Sequence, residues 1–96
     1  MRDRGVDGQL QIHEIEDGGP DGARCVVRCV GGVVRTGDRL DGGRLTVERI
    51  HRYRSVTVDV LTPPHAALVL LSGPGVPDLR PWLVVSTTGP GPRAPR

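Results

Sequence analysis

The chain contains no lysine, no asparagine and no phenylalanine. Without lysine there is no P-loop lysine, no Schiff-base lysine and no Ser-Lys dyad. All three missing types have A/T-rich codons, which points to a GC-rich genome of the actinobacterial kind. The same bias explains a basic set made only of arginine, so arginine here does not by itself signal phosphate recognition. Aromatics are nearly absent: Tyr53 and Trp82 are the whole set. Valine and leucine must therefore fill the core. No apolar run approaches the roughly 18–20 residues that span a bilayer. Met1-Arg2-Asp3-Arg4-Gly5 leads into no apolar stretch, so no signal peptide is read. The expectation is a cytoplasmic protein without a membrane role. The net charge of +2 permits RNA contact without arguing for it.

Glycine and proline are abundant, with 14 and 9 copies, and they divide the chain into short segments. Residues 1–7 and the Gly/Pro/Arg run 89–96 have nothing to bury and read as disordered tails around a single domain at 8–88. Leu10 to Ile15 begins with apolar alternation. Asp17-Gly18-Gly19-Pro20-Asp21-Gly22 is a loop. Arg24 to Val30 is a strand, followed by turns at Gly31-Gly32, Gly37-Asp38 and Asp41-Gly42-Gly43. Leu45 to Tyr53 is a long strand whose parity slips, because Leu45 and Val47 share a face that Ile50 does not; a bulge near Glu48 and Arg49 reconciles them. Val56, Val58 and Val60 alternate with Thr57 and Asp59, the pattern of a half-buried strand. Pro63-Pro64 breaks it. Ala66 to Leu71 is nearly all apolar and reads as a central strand buried on both sides. Trp82 to Val85 closes the domain, with Trp82 as a core plug or lid. No segment carries a sustained helical period. Many short strands at regular spacing indicate an all-β barrel or sandwich.

The chemistry-bearing residues are few. Cys25 and Cys29 lie four strand residues apart, roughly 13 Å, beyond disulfide reach on a straight strand. They share a face with Val27 and read as small buried apolar residues. His13, His51 and His65 show no metal-ligand spacing. Ser55, Ser72 and Ser86 sit in no nucleophile-elbow context. No catalytic residue, metal or cofactor is assigned. Arg49, Arg52 and Arg54, with His51 and Tyr53, form the densest polar cluster. It reads either as an RNA or phosphate contact or as the solvated face of an edge strand.

Three patches resemble the second-domain β-barrel of translational GTPases such as elongation factor Tu. Gly32-Val33-Val34-Arg35-Thr36-Gly37-Asp38 is similar to the family's Gly-x-Val-x-x-Gly-Asp run. Ile50-His51-Arg52-Tyr53-Arg54 resembles its Ile/Val-Glu-Met-Phe/His-Arg strand. Pro63 to Gly73, with Asp78-Leu79-Arg80-Pro81-Trp82-Leu83-Val84, resembles its closing strands. There are departures. Val27 replaces the glycine before the family's arginine, Pro63-Pro64-His65 replaces an Ala-Gly-Asp turn, His51 replaces a glutamate, and Arg24 stands at a small apolar position. The family's GTPase domain has no counterpart in these residues. The resemblance implies a small closed Greek-key barrel of six or seven strands. It also implies a non-catalytic binding module for RNA, the ribosome or translation factors, with Arg24, Arg28, His51, Tyr53 and Arg54 on the contact face. The alternative is a stand-alone protein-interaction barrel with no nucleic-acid role.

Overall fold

The computed structural model describes residues 8–19, 22–52 and 56–87. The expected tails at 1–7 and 89–96, and the candidates Tyr53 and Arg54, lie outside them. The described chain is all-β. Its strands are β1 (Gln9–Gly18), β2 (Gly22–Gly31), β3 (Val34–Arg35), β4 (Arg39–Leu40), β5 (Leu45–Arg52), β6 (Val56–Val58), β7 (Val60–Leu61), β8 (Ala66–Ser72) and β9 (Val84–Ser86), with one 3-10 turn at Val76–Asp78. The main sheet is antiparallel and runs β4-β5-β8-β2-β1-β9, with β6 paired to β5. Its two ends meet. Leu40 bridges to Thr87, and the Asp41 N–H donates to the Ser86 carbonyl at 3.0 Å. The result is a nearly closed six-strand barrel.

Strict alternation builds the interior. On β2, Ala23, Cys25, Val27 and Cys29 are buried, while Arg24, Arg28 and Val30 are exposed. On β8, Ala67, Val69 and Leu71 point inward. Leu10, Ile12, Leu40, Leu45, Val47, Ile50 and Val85 complete the wall. The separate β3–β7 ribbon adds Val34 and Leu61 to the same core, and Val76 joins it from the 3-10 turn. No polar or charged residue is buried among the described residues.

Turn chemistry sets the connections. Gly37 has φ 95°, and the Asp38 carboxylate accepts the Arg35 N–H at 2.8 Å. That turn docks on β5, because the Gly37 N–H donates to the Val47 carbonyl and the Val47 N–H to the Asp38 carbonyl. Asp41, Gly42 and Gly43 all have positive φ and form the β4–β5 hairpin loop. The slip in β5 is a register shift between Val47 and Arg49, the bulge that the parity requires.

Three expectations are corrected. The Val56–Val60 alternation is not one strand. It bends at Asp59, whose carbonyl accepts the Thr36 N–H; β6 then stays with β5 and β7 leaves for β3. Val56 and Val60 are exposed, and Leu61 is the residue that enters the core. Strand β8 is central but buried on one side only, since no described element covers Leu68 and Leu70 on its outer face. Finally, β5 is not an edge strand: it pairs with β8 on one side and with β4 and β6 on the other.

Two glycines separate conformation from crowding. Gly42 and Gly73 both have positive φ, but a Cβ on Gly42 meets nothing within 4 Å, while one on Gly73 strikes the Arg44 carbonyl. Gly42→Ala is expected to cost about 1–2 kcal/mol from backbone strain alone. Gly73→Ala is expected to cost clearly more. Urea unfolding midpoints of the two variants check the order, and equal midpoints would show that the Gly73–Arg44 contact is relaxed at no cost.

Candidate functional site

The strand registers decide which expected residues meet. On the outer face of β5-β8-β2-β1, Arg49, Leu70 and Arg24 lie in one cross-strand row. His51, Leu68, Val26 and Glu14 form the next row, and Ala66, Arg28 and Gln11 the third. Arg24, Arg28 and His51 therefore share one face. Arg49 joins them; it is set about 10 Å from Arg24 by two interstrand spacings. The bulge at Glu48 aims Arg49 outward beside Leu70. Val26, Leu68 and Leu70 are half-buried and make an apolar stripe between the cations.

The face is partly anchored. The Arg28 guanidinium donates to the Pro64 carbonyl at 3.2 Å. Arg24 also has a partner. His51 Nδ1 lies 3.3 Å from the Thr57 hydroxyl, across the β5–β6 pair. Among the described side chains, the acids on this side include Glu14 and Glu48, and Glu48 accepts the Ser72 hydroxyl. The arrangement can offer guanidinium donors to an anionic ligand and an apolar strip to a base or a side chain.

The other candidates are separated from this face. Cys25 and Cys29 are free thiols with no exposed surface. Burial pushes the Cys25 thiol up to about 11. Burial also raises Cys29, against the lowering effect of backbone hydrogen bonding at Gly31 and Gln9. A thiol kept protonated inside the barrel is a poor nucleophile. His65 sits in the turn before β8, with Nδ1 3.2 Å from the Thr62 carbonyl. Among the described residues no group of three metal-ligating side chains comes together. Among the described residues no helix is long and apolar enough to cross a membrane.

Trp82 is a further correction. It is not a plug: it has φ 74°, which turns the indole outward to 67 % exposure. Leu83 packs on the core in its place. Trp82 instead meets His13, with ring centroids 5.2 Å apart and planes at 51°. His13 occupies a register shift between Ile12 and Glu14, and its Nε2 is buried with no hydrogen-bond partner. Sequence reading missed this pair although β1 carries a signal for it: Leu10 and Ile12 share a parity that Ile15 does not, the same slip that marks the bulge in β5.

At the barrel end that bears the β1–β2 connection, an open cleft of about 340 Å³ is lined by Ile15, Gly18, Gly19, Ala23, Val76, Pro77 and Leu79. Its described side chains are all aliphatic or proline.

The buried thiol makes stability depend on alkaline pH. Folding raises the Cys25 value from about 9 to about 11, so its contribution is full below pH 9 and is lost as pH rises through 11. The urea midpoint should fall across that window by an amount worth roughly 1–3 kcal/mol. Cys25→Ala, although less stable at neutral pH, should show a smaller fall. An identical fall in the variant would assign the effect to another group.

No family model matches this chain, and no curated protein or solved structure matches it either.

Proposed function

We propose that the protein is a non-catalytic binding module whose outer β5-β8-β2-β1 face contacts RNA, in the manner of a barrel related to the second domain of translational GTPases. One observation carries this reading: three arginines from two strands and one histidine fall in adjacent rows around a half-exposed apolar strip. Guanidinium groups supply phosphate contacts, and an apolar strip tolerates the faces of unpaired bases. Tyr53 and Arg54 lie outside the described residues, and it is the resemblance that adds them to the proposed surface. The imidazole at 51, where the resembled family has glutamate, gives a ring able to stack on a base.

The absence of lysine and the burial of both thiols support a binding role over covalent catalysis. The ribosome and translation factors are the partners that the resemblance suggests. A cytoplasmic setting belongs to the same reading. The half-exposed Leu68 and Leu70 favour the second reading, in which the same face docks a protein.

Salt dependence separates the two. Fluorescently labelled tRNA and rRNA fragments should bind at low salt, with log K falling linearly against log salt. Arg49→Ala and Arg24→Ala should each weaken binding and lower that slope by about 1. No binding of either RNA at low salt would sink the RNA reading and leave protein docking.

A further inference from the structure

Strand β1 is longer than the strand that covers it. β9 pairs with Gln9 to Gln11 only, and the Ile12 N–H and carbonyl are taken by Leu83 and Trp82. Beyond that point, through His13 to Gly18, no described residue hydrogen-bonds the edge of β1 that faces away from β2. An uncovered strand edge presents donors and acceptors that an added extended chain satisfies. The aliphatic cleft lies beside this same stretch, with Ile15 in its wall opposite Val76, Pro77 and Leu79.

At this border of the face the charges turn acidic. Glu14 and Glu16 are exposed, and neither makes an ion pair with a described residue. In a chain of net charge +2, this edge is a local acidic strip. A second copy is a poor occupant, because antiparallel β1–β1 pairing sets glutamates against glutamates, and like charges directly opposite destabilise a sheet. A basic strand is favoured for the same reason.

We propose that the free edge of β1 from His13 to Gly18 is a docking site for a basic, extended peptide that adds to the sheet as a further strand. Register shifts fall at His13 and Glu16, and between them Glu14 points outward and Ile15 inward, which sets the local pattern. Side chains in step with Ile15 enter the cleft and must be aliphatic. The alternate ones lie beside Glu14 and Glu16 and must be cationic. The recognised segment is thus an alternating basic-aliphatic strand, on the β1 edge that borders the proposed RNA face and shares Glu14 with it.

The test uses an Arg-Val-Arg-Val-Arg-Val peptide added to the full isotopically labelled chain. Saturable amide shifts are expected at Ile15 to Gly19. A Glu-Val repeat and a basic repeat N-methylated along one edge should produce none. The double variant Glu14→Arg/Glu16→Arg should weaken the basic peptide roughly tenfold, as expected when two cross-strand charge pairs turn repulsive, while Arg49→Ala leaves it unchanged. The proposal is overturned if the basic peptide gives no saturable shift there. It is also overturned if the acidic or methylated peptides bind equally, or if the shifts reflect self-association of the protein without peptide.

Discussion

Everything in this fold depends on one sheet closing around an aliphatic interior. With phenylalanine absent and Trp82 turned outward, the interior is filled by valine, leucine, isoleucine, alanine and two thiols. Small inward residues on β2 and larger ones on β1, β5 and β8 share a narrow space. Burial of each valine- or leucine-sized side chain contributes on the order of 1.5–3 kcal/mol. Closure turns the inward positions of six strands into a single core. An open sheet of this length would leave that face wet. The Asp41–Ser86 hydrogen bond and the Leu40–Thr87 bridge are therefore small contacts with a large structural consequence.

Closure also creates the two surfaces. The bulge at Glu48 keeps Ile50 inside and sends Arg49 out beside Arg24. The register shift at His13 does the corresponding work on β1. It keeps Ile15 on the core side of the strand, turns Glu14 outward, and leaves the distal half of the strand longer than its cover. One device, an extra residue in a strand, thus sits next to both the cationic face and the acidic edge. The Arg44 guanidinium, paired with Asp41 and Asp78, ties the β4–β5 loop to the 3-10 turn and holds the far wall of the cleft in place.

The turns were legible in the sequence because their chemistry is local. Gly37 and Asp38 declare a positive φ and a side-chain cap, and Asp41-Gly42-Gly43 declares a tight hairpin. The inward face of β2 and the bulge in β5 were legible because apolar parity records burial directly. What failed was non-local. Val56 to Val60 alternates perfectly, yet partner choice at Asp59 splits it between two strands. Leu68 and Leu70 look like core residues, yet nothing in a sequence says whether a second layer will cover a sheet. Trp82 reads as core by size, and only its backbone conformation turns it out. The clustering of Arg24, Arg28 and His51 came from the resemblance. Arg49 was already legible beside His51 in the polar cluster; its meeting with Arg24, and the free edge of β1, emerged only with the strand registers.

Amide hydrogen exchange tests the closure most directly. The Asp41 N–H donates across the closing seam to Ser86, while the Thr87 and Ile12 N–H groups join the β9 segment to β1 through Gly8 and Leu83. The account predicts that all three exchange as slowly as the interior amides of β2 and β8, opening only with global unfolding. Exchange of Asp41 at the rate of an open chain, with Thr87, β2 and β8 still protected, would show a sheet that does not close and would contradict the account.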